Sequence, residues 1–533
     1  MLASWAAVVC IMFTVALGAA QPGGPPVKVN GVNGVTWLSE NLVMPNFEFP
    51  ARIAAEFAEC LTQHGREGPG LLLGLDDLFA AYRRIPNADS RRFGIVGVFD
   101  LELDQVVWHE VLGLPFGLSS APIIFNRVPA LLCVLARAWC GVAVDQFVDD
   151  YMTVDRDDSP VTVATTEAPD GTPRKVRKTW ASSAQWALSA IHDMAGLQLA
   201  PDKRKPASHV NVLLGVEGDM SQFKSHRRVR FRPTQRRCKS ILAALQECKQ
   251  HNKLRPREAA SFLGRLTFVL SSSYTSVGRA ATQPLVDRAA DRAEGKGPGA
   301  RDRHKWTASM SHMLLFFEAL FAKIPDLLFD FRQSRKRKVV IYTDASFSPD
   351  RNGLGFIVFD QESGQRFVCD APCPAKLMEV WNQNHLCPNP WLLRELSQKS
   401  GTHINSLELL AILAVVWTVG PQLLQGRDVL FFCDNTSAMS AAVHGYARSP
   451  HMGALSNALH LALASLRCNA WFEWVPTDEN CADIPSRPQG PAEQAFYNSL
   501  GLKPWPGGMK FPSLDQIHAP RLHHVRGSQT AAD

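Results

Sequence analysis

The chain has 533 residues, 46% of them hydrophobic, with Lys+Arg 56 against Asp+Glu 50 and a formal net charge of +6. That balance supports packed cores and excludes wholesale disorder, while the mild basicity permits nucleic acid as a partner without requiring it. The 12 cysteines include no CxxC pair, so neither a zinc ribbon nor a disulfide framework is indicated and reduced thiols are expected. The length accommodates roughly three or four domains at about 100–200 residues each.

Leu2 to Ala20 carries no charged side chain and ends in small residues before Gln21-Pro22. It reads as a signal peptide or short membrane anchor lacking a basic n-region, or as a mis-assigned start or buried apolar segment. The acid-bearing motifs downstream favour the latter pair. No other apolar run of membrane length stands out. A helix is expected over Ala51–Gln63. Leu71-Leu72-Leu73-Gly74-Leu75 reads as a buried strand that delivers Asp76-Asp77 at its end, with Tyr82 five residues beyond Asp77. A carboxylate leaving a buried strand is suited to a metal, although an aspartate capping a helix is the commoner use.

Two short strands are expected at Phe93–Phe99 and Gln105–Glu110. The loop Leu114-Pro115-Phe116-Gly117-Leu118-Ser119-Ser120-Ala121-Pro122 then opens a helix from Ile123 to Trp139. Small residues and free backbone N–H groups let such a loop lie close to a flat or anionic ligand. Next, Val142-Ala143-Val144 leads to Phe147-Val148-Asp149-Asp150-Tyr151, a hairpin with two carboxylates at its tip. Aspartate favours turns for backbone reasons alone, so this pair by itself reads first as a turn.

Asp155–Lys178 reads as a polar surface insertion, followed by a helix over Ala181–Ala195 and a strand at Val212–Val216. Between them lie Lys203 and Lys205, which on their own read as ordinary surface charge. His226–Arg237 is strongly basic, two amphipathic helices are expected at Thr234–Gln250 and Pro256–Leu270, and Gly295–His304 reads as a linker. Downstream, Val339–Ser346 is a strand holding Asp344, Gly353–Phe359 a partner strand, and Asn405–Ala411 opens an apolar helix holding Glu408. Asp428–Phe432 is a strand leading to Asp434, and Trp471–Val475 leads to Asp483. Cys369, Cys373, His385 and Cys387 could be drawn as a zinc site, but their irregular spacing argues against it.

Taken together, Asp77 with Tyr82, the LPFGLSSAP loop and Phe147-Val148-Asp149-Asp150 resemble the palm of a reverse transcriptase. Asp344, Glu408, Asp434 and Asp483, with the ending NxADxxSR, resemble a ribonuclease H domain. The combination is similar to a segment of a retrotransposon polyprotein of the Ty3 and DIRS type. The resemblance implies an α+β reverse-transcriptase palm and thumb, a right-hand polymerase with truncated fingers, followed by an α/β ribonuclease H-like domain with a mixed five-stranded sheet. It also implies an order: an apolar segment 1–20, residual fingers 21–70, palm 71–225, thumb, connection and linker 226–330, ribonuclease H-like domain 335–490 and a C-terminal tail 491–533.

The implied chemistry is two-metal nucleotidyl transfer and hybrid cleavage with Mg2+ or Mn2+. In such sites, ions about 3.5–4 Å apart clamp the attacking and leaving oxygens. Asp77, Asp149 and Asp150 would hold the polymerase metals, and Asp344, Glu408, Asp434 and Asp483 those of the nuclease. Tyr82, Phe116 and Gly117 would line the incoming nucleotide, with Lys203 or Lys205 as the lysine near the triphosphate. The implied partners are an RNA template, a DNA primer, an RNA–DNA hybrid and deoxynucleoside triphosphates, with other products of the same element and no stable membrane partner. Location in the cytoplasm or nucleus is expected over secretion.

Between residue 20 and Asp77 there is too little chain for full fingers. This motivates an alternative, a catalytically impaired relic that binds nucleic acid without polymerising. The lack of protease, integrase or tyrosine-recombinase signatures implies one segment of a larger element. A secreted protein is a third reading, resting on residues 1–20 and the sequon Asn435-Thr436-Ser437.

Overall fold

The structure, a computed structural model, describes residues 48–518 apart from 66, 87–94, 111, 115–120, 159–163, 168–172, 177–182, 291–303, 325, 334–337, 348–351, 384–402 and 488–489. Residues 1–47, Phe116, Gly117, most of the 295–304 linker, His385 and Cys387 therefore lie outside the described residues. The chain divides into two compact units. One runs to Leu214 and takes in 218–229; the other takes 215–217 and the chain from Arg230 onward.

In the first unit, a helix spans Glu48–Gln63, β1 is Leu71–Asp77, and β2 (Ile95–Asp100) pairs with β3 (Gln105–Glu110) as a hairpin. After the helix Ala121–Cys140, β4 (Ala143–Phe147) and β5 (Asp150–Arg156) form the expected second hairpin. The segment expected as a polar surface insertion contains a small hairpin, β6 (Ala164–Glu167) with β7 (Pro173–Val176). A helix Ser183–Met194, β8 (Lys205–Ser208) and β9 (Val210–Leu213) complete the unit's main run.

The main sheet has the order β4-β5-β1-β8. β1 is internal to it, which is why its sequence reads as a nearly unbroken apolar run rather than an alternation. Its Leu71 and Leu73 are buried, and Gly74 leaves room for Thr153 and Gln185, whose side-chain atoms a Cβ would strike. The helix Ala121–Cys140 turns Phe125, Leu132, Cys133 and Ala136 inward, with Leu78, Val144, Tyr151 and Leu188 in the same core.

The strand expected at Val212–Val216 is broken. Leu214 and Gly215 both adopt positive φ, so β9 ends at Leu213 and β10 (Val216–Asp219) begins beyond a tight turn. Two further strands, β11 (Arg228–Pro233) and β12 (Leu327–Asp330), come later in the chain. Much of the basic stretch is engaged internally. Arg232 pairs with Glu217 at 2.5 Å, Arg230 with Asp326 at 3.5 Å, and the Arg237 guanidinium lies 4.5 Å from the Phe268 ring centre.

In the second unit, helices Gln235–Gln250, Pro256–Leu270, Gln283–Ala290 and Ala308–Lys323 enclose a core that includes Ile241, Leu245, Leu266, Phe317 and Leu320. Leu461 and Ala464 from the helix Pro450–Ser465 join that core, which ties these helices to the unit's sheet region. The sheet there contains β13 (Val339–Phe347), β14 (Asn352–Asp360), β15 (Arg366–Pro372), β16 (Asp428–Cys433), β17 (Asn469–Trp474) and β18 (Lys503–Pro504). Their order is β17-β16-β13-β14-β15-β18, mixed parallel and antiparallel.

The sheet thus has six strands rather than five. The extra one comes from residues read as a tail: the helix Pro491–Leu500 leads into β18, whose Lys503 and Pro504 pair with Phe367 and Val368. Trp505 and Ile517 are then buried in the unit's main core. The helix Ile404–Val419 is buried on nearly every side, which explains its lack of an amphipathic stripe. Contrary to the sequence reading, two described helices are long and apolar enough to cross a membrane, Ala121–Cys140 and Ile404–Leu424. The second is this central core helix, and burial among protein accounts for its composition.

Candidate active sites

The first site lies at one end of the β4-β5-β1-β8 sheet. Antiparallel register sets Asp77 opposite Asp150, and Asp150 opposite Phe147 across the hairpin. The turn therefore consists of Val148 and Asp149 alone. Val148 has φ +57°, in the left-handed region that β-branched residues avoid. Such strained positions cost about 1–3 kcal/mol and persist where the surroundings dictate them. Here the Leu78 N–H donates to the Asp149 carbonyl at 2.9 Å, tying the turn to the exit of β1.

Three carboxylates thus come from two separate pieces of chain. Burial raises the Asp149 carboxyl above its ordinary value, and the neighbouring Asp77 charge adds to the effect. Asp150 is pushed up to about 6, by burial first and then by Asp149 and Asp77. The structure also separates the two candidate lysines. Lys203 donates from Nζ to Asp77 Oδ1 at 2.8 Å, whereas Lys205 donates to the Val212 carbonyl at 2.8 Å. Tyr82, on the turn Ala81–Arg84, stacks on Phe125 with centroids 4.6 Å apart; burial raises its hydroxyl, and the Asp149 charge adds to that.

Two residues beneath this cluster had no functional role in the sequence reading. Asp76, next to Asp77, is fully buried and ion-paired to Arg204, next to Lys203. No local pattern announces such a pair, because its partners are far apart in sequence and meet only in the folded sheet.

The second site lies at the ends of β13 and β16, parallel neighbours with Tyr342 opposite Phe432. Asp344 is buried near the end of β13, and Asp434 comes directly after the last residue of β16. Glu408 reaches in from the helix Ile404–Val419, and Cys433 Sγ lies 3.7 Å from Glu408 Oε2. Ligand atoms of Glu408, Cys433 and Asp434 all lie within 4.8 Å of one another. Asp344 accepts from Ser486 Oγ and from Asn480 Nδ2, the latter at 3.5 Å. Asp483 opens the single turn Asp483–Ser486 and pairs with Arg487 at 2.9 Å.

Burial drives Glu408 up to about 9, with the charges of Asp344 and Asp434 adding to it. Asp344 rises to about 7, mainly by burial, with Asp434 and Asp483 contributing. Asn435 uses its side-chain oxygen to accept from the Ala438 N–H and its amide to donate to Asn405, each at 2.9 Å. An asparagine engaged at both ends beside this cluster is a poor glycan acceptor. For the zinc reading, Cys369 and Cys373 are described, and burial pushes both thiols up to about 12.

Gly355 is what allows the Asp483 turn to sit against β14, since a Cβ there would strike the Ser486 backbone. Gly355→Ala should destabilise the second unit by about 1–3 kcal/mol through overpacking. Gly264→Ala, in the helix Pro256–Leu270 with open space around the new Cβ, should instead stabilise by roughly 0.5–1 kcal/mol. Thermal melts of the two variants check the opposite signs.

Both clusters offer mostly carboxylate oxygens, which suit hard divalent cations such as Mg2+ or Mn2+. Carboxyls raised by crowding and burial are what a bound cation would relieve. Among the described residues, Cys433 is the soft donor grouped with Glu408 and Asp434, and neither the acids' order nor their spacing pointed to it. No protein-family model and no curated protein matches this chain.

Proposed function

We propose that this chain is an RNA-directed DNA polymerase with ribonuclease H activity, a two-metal nucleotidyltransferase and nuclease of retrotransposon type. The observation that carries the reading is the meeting of Asp77 with the Asp149-Asp150 pair, from two separate strands, with Lys203 on Asp77. It gains weight from the second gathering of Asp344, Glu408, Asp434 and Asp483 in the same chain. A single acid pair at a turn needs no function; two clusters of this kind do.

In this reading Asp77 and Asp149 would hold Mg2+ with Asp150 assisting, and bound ions would supply activation of the primer hydroxyl and charge neutralisation at the phosphates. Lys203 offers its ammonium to the triphosphate, and Tyr82 lies under the sugar and disfavours a 2′-hydroxyl. Asp344, Glu408, Asp434 and Asp483 hold the ions of the nuclease, where Ser486 and Asn480 orient Asp344 by hydrogen bonding. The substrates are RNA template, DNA primer, deoxynucleoside triphosphates and the resulting hybrid.

The test is primer extension on an RNA template with Mg2+, alongside cleavage of a labelled RNA–DNA hybrid. Extension and cleavage are both expected. A purified chain that binds hybrid with a steep salt dependence but incorporates no nucleotide would overturn the polymerase reading in favour of a binding relic.

A further inference from the structure

Asp76 and Asp77 are consecutive on β1, so strand alternation sends their side chains to opposite faces. Lys203 and Arg204 are consecutive just beyond Pro201. The result is a double clip. Asp77 meets Lys203 at the site, with 59% of the lysine side chain exposed, while Asp76 meets Arg204 in the interior, with none of its carboxylate exposed.

The interior pair is held by two side chains of one helix. Arg204 also donates to Ser189 Oγ, and Gln185 donates to Asp76 Oδ2 at 2.9 Å. Gln185 further donates to the Lys205 carbonyl and accepts from the Ala207 N–H, each at 3.0 Å. Both glutamine and serine stand on the helix Ser183–Met194, and Gly74 leaves the space that Gln185 fills.

Magnitudes separate the roles of the two pairs. An exposed lysine–carboxylate pair is worth about 0.2–1 kcal/mol, too little to hold a flexible lysine in one place. A buried pair costs desolvation and is often replaceable by apolar residues without loss of stability, so stability alone does not explain it. Geometry does, because the buried pair immobilises the backbone from which Lys203 projects.

We propose that the Asp76–Arg204 pair is a positioning device. It sets Lys203 over Asp77 and thereby tunes the affinity of the acid site for its divalent cation and for a magnesium-bound nucleoside triphosphate. The nucleotide part rests on the polymerase reading; the cation part does not. Asp76 is buried against Arg204, away from the exposed Lys203 ammonium on Asp77, so the pair acts through Lys203.

The test uses the full chain and Mn2+ titration followed by electron paramagnetic resonance. It compares Lys203→Met, the charge-neutral pair Asp76→Leu/Arg204→Met, and all three changes together, each made in a background with Asp434→Asn so that the first site dominates binding. Lys203→Met removes a competing ammonium and should tighten Mn2+ binding about threefold, within the range of an exposed ion pair. The paired variant should tighten it by the same factor, and the triple variant should add nothing, because residues acting through one contact are not additive.

An unchanged Mn2+ affinity in the paired variant, or effects that multiply, overturns the proposal. If the paired variant does not fold, Arg204→Lys replaces it, keeping the charge but losing the fork that reaches both Asp76 and Ser189. The same shift of smaller size is expected from it, and no shift refutes the positioning role. In primer extension with the second site intact, the paired variant should raise KM for the nucleotide about tenfold with kcat within about twofold, as for lost binding rather than lost chemistry. A wild-type chain that shows the Mn2+ coupling but incorporates nothing sinks the polymerase reading and leaves the positioning role standing.

Discussion

Asp149→Asn should abolish primer extension, by about a thousandfold or more, while leaving hybrid cleavage at the wild-type rate. Asp434→Asn should do the reverse. On the proposed reading, the size comes from removing one charged group from a site that would hold two metals and work by electrostatic stabilisation, where single donors are worth about 10²–10³ and metal ligands more. The separation comes from the fold, since Asp149 stands on the β4-β5 turn of the first unit and Asp434 beyond β16 of the second. Asparagine preserves shape, so circular dichroism should show unchanged folding in both variants. Extension that survives Asp149→Asn would remove the polymerase assignment, and cleavage that survives Asp434→Asn would remove the nuclease assignment.

Glu408→Gln should stabilise the metal-free protein at alkaline pH while eliminating cleavage. Burial and the Asp344 and Asp434 charges hold Glu408 at about 9, against an ordinary value of 4.5. Between those two values the folded chain keeps a proton that the unfolded chain has released. Stability is therefore fully present below the unfolded value and is lost as pH rises toward 9, at about 1.4 kcal/mol per pH unit. Glutamine cannot ionise and removes that slope, which over the roughly 3.5 pH units from 4.5 to 8 is a gain on the order of 5 kcal/mol. Asp344, raised to about 7, contributes a loss of the same sign over a lower window and remains in the variant. Melts at pH 4 and pH 8 should lie close together for wild type and variant at the lower pH and diverge at the higher. Added Mg2+ should stabilise wild type more than the variant, because a cation relieves the repulsion that glutamine has already removed. Parallel pH profiles for the two proteins would refute the burial argument.

Local patterns carried most of the element assignments. The apolar run Leu71–Leu75 is a strand because it is internal to its sheet, and the hairpin bearing Asp149-Asp150 was legible from apolar residues flanking a turn. The apolar stretch after Asn405 is legible as a helix, though not its place at the centre of a core. Where the reading failed, the cause was context. Leu214 and Gly215 break an apparently continuous strand through positive φ, and residues beyond Pro491 look like a tail because a two-residue strand has no periodicity to detect.

The sequence by itself determined which acids exist, their order, and the element types that bear them, since hydrophobic periods of 2 and 3.6 are local quantities. Only the tertiary structure decided which acids meet. The register that sets Asp77 against Asp150 is a pairing across more than seventy residues of chain, selected by packing on both faces of the sheet. The same holds for Lys203 over Lys205, for Cys433 against Glu408, and for the buried Asp76–Arg204 pair. Each depends on where a distant backbone comes to rest, and that is fixed by the burial of a shared core rather than by any neighbour in the chain.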